Sequence, residues 1–168
     1  MHRATKNYID ETEINIRQLG NISGANCKNP SWGRIYDETG LYPTLTTMEG
    51  GRREPLFLVK EATNKGYKEA YEGDSIPPRI RKLTPKECWR GMGFDDSDFD
   101  KASNVKIGNR TMSDHQLYRQ AGNSIVVDVL YYIYKMIQNK YPEHFKEGIN
   151  VISLFSGIGA FEKALERL

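Results

Sequence analysis

Residues 151–168 read VISLFSGIGAFEKALERL, and this stretch decides the class of the fold. The apolar run from Val151 to Phe155 predicts a buried strand, and Gly157 and Gly159 predict a tight turn after it. Apolar residues then recur at helical spacing, at Phe161, Ala164, Leu165 and Leu168. A strand that feeds a helix through small residues is typical of parallel sheets, and it leaves backbone N–H groups free to meet a ligand. The sequence therefore predicts an α/β fold with a candidate binding turn here.

The glycine turn matches a dinucleotide-binding site poorly. Glu162 stands where the third glycine of that fingerprint is expected. Only nine residues follow Gly159, too few to reach the acidic residue that holds a ribose. On this segment alone, an ordinary tight turn between a strand and a helix is an equal alternative.

A first helix is expected upstream, at Thr84-Pro85-Lys86-Glu87. These residues combine an N-cap, a proline at the first helical position and a capping-box glutamate, and the helix should end near Gly91 or Gly93. The acidic run at 95–100 is interpreted as a solvated turn. Its spacing lacks the glycine and the distal glutamate of a calcium-binding loop.

Residues 124–138 predict a second, longer helix with one wide apolar face. The apolar side chains that recur every four residues are Ile125, Val129 and Ile133. Asn123 and Ser124 are placed to cap this helix, or alternatively to face a ligand at its mouth. The polar residues 139–148 are interpreted as a linker.

The first half of the chain is expected to form short strands and loops. Residues 21–53 are dense in Gly, Asn, Ser and Pro, with strand-favouring pieces at 34–36 and 42–47. Residues 56–59 predict another strand, and the polar residues 60–78 predict a loop or an insertion. Arginines and short polar side chains on paired loops suit contacts with DNA bases and phosphates, although composition alone favours a plain solvated loop pair.

Composition excludes several classes of protein. The 168 residues include 24 Lys+Arg and 22 Asp+Glu, a net charge of +2, so no global charge drives binding to nucleic acid or to a membrane. The apolar runs are far shorter than the roughly 20 residues that cross a bilayer. Cys27 and Cys88 form neither a disulfide framework nor a metal cluster, and Cys88 is expected to be a small buried hydrophobe. We therefore expect a soluble intracellular protein, and we identify no catalytic or metal-ligating residue in it.

Taken together, these segments resemble DNA (cytosine-5)-methyltransferases. Arg79–Phe94 is similar to the ninth motif of that family, Tyr118–Val127 to the tenth and Val151–Phe161 to the first. Arg34–Tyr36 and Pro43–Gly51 resemble the recognition loops of its target-recognition domain. The family's first motif opens the protein, whereas here it follows the tenth. The Pro-Cys dipeptide with the nucleophilic cysteine, the Glu-Asn-Val motif, the arginine-bearing motif and the acidic ribose-binding residue are absent. The resemblance thus implies a circularly permuted and split methyltransferase.

This resemblance implies part of a Rossmann-like, S-adenosylmethionine-dependent methyltransferase domain and a small, mostly β target-recognition domain. It divides the chain into a DNA-reading region at 1–78, a segment with the ninth and tenth motifs at 79–138, the linker at 139–148 and the first-motif unit at 149–168.

The resemblance also implies two sites. The cofactor S-adenosylmethionine would lie between the glycine turn and the tenth motif, in contact with Phe155, Ser156, Gly157, Ile158, Gly159, Ala160, Asn123, Ser124 and Ile125. Double-stranded DNA would be read at its base edges by Arg34, Thr46, Met48 and Gly51. Ser31 or Trp32 would fill the gap left by an extruded cytosine. The target sequence itself does not transfer, because such loops vary with it.

The sequence therefore predicts a subunit or fragment of a DNA (cytosine-5)-methyltransferase, cytoplasmic and encoded by a bacterium or a phage, as in restriction-modification systems. It would act with a second polypeptide that carries the nucleophilic cysteine. The alternatives are a DNA-binding protein without activity and an inactive remnant. A neighbouring reading frame with Pro-Cys-Gln and Glu-Asn-Val would favour the first interpretation.

Overall fold

The structure, a computed structural model, describes residues 15–22, 33–41, 43–47, 54–59, 79–154 and 156–168. The described chain is a mixed α/β protein that divides into two compact units. The first unit comprises Met1–Thr44 and Pro55–Lys82, and the second comprises Leu45–Glu54 and Leu83–Leu168. Neither unit is contiguous along the chain, because residues 45–54, which interrupt the first unit, belong to the second.

The first unit contains a four-stranded sheet. Its strands, in spatial order, are β1 (Gln18–Asn21), β2 (Arg34–Asp37), β3 (Leu56–Val59) and β4 (Arg79–Lys82). The central pair, β2 and β3, is parallel, and both outer pairs are antiparallel. Tyr36, Phe57 and Val59 are buried, and the rings of Tyr36 and Phe57 lie 6.0 Å apart between centroids. These side chains form the apolar core of this sheet.

Two of the strand predictions for this half of the chain are confirmed, at 34–36 and 56–59. Residues 43–47 form no strand, so that part of the third prediction is wrong. The physical reason is that residues 45–47 pack in the second unit, where the Thr46 backbone lies against a helix. Tyr42 and residues 60–78 lie outside the described residues.

The second unit is mainly helical. Its helices are α1 (Pro85–Gly91), α2 (Asp96–Ser103), α3 (Asp114–Asn123), α4 (Val127–Lys140) and α5 (Ala160–Glu166). A hairpin of β5 (Lys106–Ile107) and β6 (Arg110–Thr111) connects α2 to α3, and a 3-10 turn (Pro142–Phe145) follows α4. No helix in the described ranges is both long and apolar enough to span a membrane.

Helix α1 begins and ends as predicted. The Glu87 carboxylate accepts from the Thr84 N–H at 2.7 Å, and the Glu87 N–H donates to the Thr84 hydroxyl at 3.3 Å. Pro85 occupies the first turn, where its missing N–H costs nothing, and Gly91 is the last helical residue. The capping box therefore fixes the start of the helix.

Trp89 of α1 is the centre of the second unit's core. Its side chain is 2% exposed, its Nε1–H donates to the Leu117 carbonyl at 3.1 Å, and its ring packs on Phe94 and Phe99. Cys88 beside it is fully buried, and burial raises the pKa of its thiol to about 12. Cys88 is therefore the small buried hydrophobe expected from the sequence.

The acidic run at 95–100 is not a turn, contrary to prediction. It forms the first turns of α2, where the Asp98 carboxylate accepts from the Asp95 N–H at 3.1 Å. Acidic residues are favourable at a helix N-terminus because they face the positive end of the helix dipole. Cations from other elements also bind them, including Lys86 of α1, which lies 2.9 Å from Asp100.

The long helix starts later than predicted. Asn123 is the last residue of α3, Ser124 follows in an extended conformation, and Val126 precedes α4. Asn123 and Ser124 therefore do not cap α4. The helix extends to Lys140, two residues into the segment interpreted as a linker.

The predicted strand from Val151 to Phe155 is also wrong. Residues 151–154 form no strand, and the side chains of Val151, Ile152 and Leu154 are 52%, 87% and 78% exposed. Phe155 lies outside the described residues. A single extended segment needs a neighbouring strand to pair its backbone groups, and the described ranges place none beside it.

Candidate functional site

Two segments of the second unit that lie far apart in the sequence line an open cavity of about 530 Å³. We call it the α3–α5 cavity. Its lining residues from α3 and its two ends are Met112, Gln116, Arg119, Gln120, Asn123, Ser124 and Ile125, and those from the glycine turn and α5 are Ser156, Gly157, Ile158, Ala160 and Phe161.

The cavity brings together most of the residues that the resemblance assigned to a cofactor. Asn123, Ser124 and Ile125 form one wall, and the turn that begins at Ser156 forms the other. Gly159 belongs to that turn, but it lines a neighbouring cavity of about 400 Å³ instead. The remaining predicted contact, Phe155, lies outside the described residues.

The turn at 156–159 requires its glycines. Gly157 and Gly159 have φ values of +59° and +84°, a left-handed conformation that side chains disfavour. The Gly159 N–H donates to the Ser156 carbonyl at 2.9 Å and closes the turn before α5. The glycine turn and the helix after it are therefore confirmed, although the strand before them is not.

Ion pairs and buried alanines fix α5 to the rest of the second unit. Lys163 lies 2.6 Å from Asp95 and 2.9 Å from Asp98, and these carboxylates raise its pKa. Arg167 donates to Asp128 at 3.0 Å and to the Gly93 carbonyl at 2.6 Å. On the apolar side of α5, two residues are buried, Ala160 and Ala164. These contacts hold the glycine turn in place as one wall of the cavity.

Sequence reasoning missed the part of the wall formed by Gln116, Arg119 and Gln120 of α3 and by Met112 just before that helix. The available signal was the spacing of Ser113 and Gln116, which matches a capping box. In the structure the Ser113 N–H donates to the Gln116 side-chain oxygen at 3.0 Å, and α3 begins there.

The cavity has the character of a small-molecule site. Its volume falls within the range of roughly 300–1,000 Å³ typical of such sites, and its wall combines apolar with polar side chains. The Oε1 atom of Gln120 is buried and accepts no hydrogen bond from the described residues. An unpaired buried acceptor favours a ligand that donates an N–H or O–H.

The described residues of the cavity form no metal-binding cluster. Across the described ranges, no group of three or more His, Cys, Asp or Glu side chains could hold a metal ion.

Tyr118, on α3, donates its hydroxyl to the Leu83 carbonyl at 2.6 Å, and burial raises its pKa to about 12. This tyrosine is therefore a neutral structural group near pH 7.

Two of the predicted DNA-reading residues are described. Arg34 begins β2 of the first unit and is partly exposed, whereas Thr46 belongs to the second unit and is exposed. The other four, Ser31, Trp32, Met48 and Gly51, lie outside the described residues.

Part of the basic run from Arg79 to Arg90 is engaged in ion pairs. Arg90 makes a two-pronged contact with Asp96, at 2.6 and 2.7 Å, which lowers the pKa of Asp96 to about 2. Lys86 lies 2.9 Å from Asp100. These two cations of α1 therefore bind α2.

Comparison with known proteins supports one family. Residues 2–139 match the family described as C-5 cytosine-specific DNA methylase. The orphan methyltransferase M.SPBetaI of Bacillus phage SPbeta is 38% identical over 138 residues, covering 64% of this chain and 30% of its own. The type II methyltransferase M2.ScrFI of Lactococcus lactis subsp. cremoris is 51% identical over 105 residues, covering 61% and 27%.

The type II methyltransferase M.HhaI of Haemophilus parahaemolyticus is 33% identical over 129 residues, covering 77% of this chain and 31% of its own. The chain thus spans about 30% of the length of the relatives that it matches. Because the family match extends over most of its residues, the chain belongs to the C-5 cytosine-specific DNA methylases.

Proposed function

We propose that this chain supplies DNA target recognition and half of the S-adenosylmethionine pocket of a DNA (cytosine-5)-methyltransferase. A second polypeptide with the nucleophilic cysteine would complete the enzyme. The α3–α5 cavity carries the proposal, because two segments that were assigned to one cofactor meet there in space.

The residues of the cavity fit half of such a pocket. S-adenosylmethionine would supply the methyl group that the family transfers to cytosine. On this chain, the glycine turn lets a ligand approach the backbone of Gly157, and Asn123 offers both a donor and an acceptor on the opposite wall. Gln120 would accept from a nitrogen of the ligand through its unpaired Oε1. Here the acidic ribose-binding residue would come from the second polypeptide.

The order of the segments supports a permuted arrangement. The family match ends at residue 139, and the glycine turn that resembles the family's first motif comes after it, at 156–159. In this proposal the two cavity walls belong to one Rossmann-like domain whose connections have been changed. Such a join is compatible with the packing of α4 against α5.

An exposed apolar surface supports the proposal that a second polypeptide binds this chain. On α4, Val129, Tyr132 and Met136 are 52%, 67% and 64% exposed, and further along the chain Ile152 is 87% exposed. Large exposed apolar groups of this kind mark surfaces that another protein covers. The partner that we assign to this surface is a second polypeptide with the Pro-Cys and Glu-Asn-Val motifs of the family.

We expect the chain to bind S-adenosylhomocysteine, the demethylated form of the cofactor, and Asn123→Ala to weaken this binding about 2- to 10-fold. The magnitude is that of one lost hydrogen bond, about 0.5–1.5 kcal/mol. Isothermal titration calorimetry on the purified chain measures both affinities.

The matched control is Asn139→Ala, which removes the same side chain from the exposed surface of α4, away from the cavity. It should leave the affinity unchanged. A wild-type chain that binds no S-adenosylhomocysteine but does bind DNA would contradict the proposal and favour the non-enzymatic DNA-binding alternative. Failure to bind either would favour an inactive remnant.

For the DNA-reading role we expect Arg34→Ala to cost about 1–3 kcal/mol on the preferred sequence and little on other DNA. The reason is that a base-edge contact discriminates between sequences, whereas a phosphate contact does not. The preferred sequence is first selected from a pool of random duplexes, and competition binding then compares it with a scrambled duplex.

Arg110→Ala is the charge-matched control for Arg34, because Arg110 is an exposed arginine on the β5–β6 hairpin. It should not change the ratio of the two affinities. An equal loss on both duplexes for Arg34→Ala would instead assign Arg34 to the phosphate backbone.

A further inference from the structure

Gly122, in the last turn of α3, lies directly against the backbone of the segment 45–47. A β-carbon built on Gly122 would lie less than 3.0 Å from the carbonyl carbon and oxygen of Thr46 and from the amide nitrogen of Thr47. Real β-carbons essentially never approach other atoms within 3.0 Å, and here the obstacle is a peptide group rather than a flexible side chain. Any side chain at position 122 would therefore displace the peptide between Thr46 and Thr47, or the end of α3.

The helix itself gives no reason for a glycine at this position. Gly122 is absent from the glycines with positive φ, so alanine could adopt its backbone conformation. Glycine is also one of the weakest helix formers, and alanine is the strongest. The close approach of residues 45–47 is the feature that the glycine permits.

Both of the proposed functional sites reach this contact. Thr46 is a proposed DNA-reading residue, and its backbone touches Gly122. Gln120 and Asn123, on either side of Gly122 in the sequence, line the α3–α5 cavity. A shift of the segment 45–47 therefore acts on the same helical turn that forms the cavity wall.

We infer that Gly122 is a positioning residue: it seats the DNA-reading segment 45–47 on the helix that lines the cofactor cavity and so couples the two sites. This inference rests on the proposed function for the identity of the two ligands. Coupling between two sites is reciprocal, so DNA should change the affinity for the cofactor by the same factor as the cofactor changes that for DNA.

The test compares Gly122→Ala with Gly20→Ala. Gly20 is the matched control, because a β-carbon there meets nothing within 4 Å and its φ is not left-handed. The first readout is the amide NMR spectrum of the free chain. Gly122→Ala should move the resonances of residues 45–47 and of Asn123, whereas Gly20→Ala should leave them in place. Unchanged resonances in Gly122→Ala would show that Gly122 does not position residues 45–47 on α3.

The second readout is the affinity for S-adenosylhomocysteine with and without a pool of random-sequence duplex DNA. In the wild-type chain and in Gly20→Ala, DNA should change this affinity by at least about fivefold, the lower end of typical coupling. In Gly122→Ala the change should fall below about twofold.

Three results separate the possible failures. Coupling that persists in Gly122→Ala, or a wild-type affinity that DNA does not alter, overturns the coupling while the proposed function stands. Equal losses of affinity with and without DNA would assign Gly122 a structural role only, and would also overturn it. A wild-type chain that binds no S-adenosylhomocysteine overturns both the proposed function and the coupling, and the amide spectrum then still decides the seating.

Discussion

Incubated alone with methyl-labelled S-adenosylmethionine and mixed-sequence duplex DNA, the chain should transfer no methyl group. A cysteine thiolate must add to the cytosine ring in the proposed reaction, and Cys88 cannot provide it. Cys88 is fully buried, and its pKa of about 12 keeps the thiol protonated at neutral pH. Scintillation counting of the recovered DNA measures the transfer.

Addition of a polypeptide with the Pro-Cys and Glu-Asn-Val motifs should restore methyl transfer. Met136→Glu, in the exposed apolar surface of α4, should block this restoration because it places a charge in the interface. Asn109→Glu adds the same charge at an exposed position between β5 and β6 and should not block it. Incorporation without any added polypeptide would overturn the split arrangement, and its loss in Cys27→Ser would then identify the nucleophile.

Trp89→Ala should lower the free energy of unfolding of the second unit by about 3–5 kcal/mol. The substitution removes a buried indole that packs on Phe94 and Phe99, and it removes the hydrogen bond from the indole N–H to the Leu117 carbonyl. Such a loss is a large part of the roughly 5–15 kcal/mol by which natural proteins are stable. Urea denaturation followed by circular dichroism measures it.

Two further variants serve as comparisons for the stability loss expected of Trp89→Ala. Trp89→Phe keeps an aromatic ring and removes mainly the hydrogen bond, so it should cost about 1–3 kcal/mol. Tyr132→Ala truncates an aromatic side chain that is 67% exposed, and it should change stability by less than about 0.5 kcal/mol. Similar losses for Trp89→Ala and Tyr132→Ala would mean that Trp89 is not the centre of the core.

Local sequence signals predicted some elements well. The start of α1 depends on Thr84, Pro85 and Glu87, which act within one turn, and the glycine turn before α5 depends on the backbone freedom of Gly157 and Gly159. Such features are visible in a sequence because the interacting residues are neighbours in it.

The wrong predictions depend on distant residues. The composition of the acidic run at 95–100 predicts a solvated turn. The ion pairs with Lys86, Arg90 and Lys163, which come from other parts of the chain, are not visible in that composition. The apolar composition of the run at 151–155 predicts a strand, but a strand also needs a neighbouring strand to pair with. The tight packing at Gly122 could not be predicted either, since it joins Gly122 to Thr46, which is distant in the sequence.

The placement of residues 45–54 also limits how the chain can be divided. A polypeptide that ends at Lys82 would keep all four strands of the sheet but separate the segment 45–47 from Gly122. One that begins at Leu83 would keep α3 and leave Gly122 uncovered. Exchange of the first unit between related proteins would therefore need breakpoints on both sides of residues 45–54 as well as after Lys82. The units are compact in space, but a single crossover cannot exchange one of them whole, because each is built from two separate stretches of the chain.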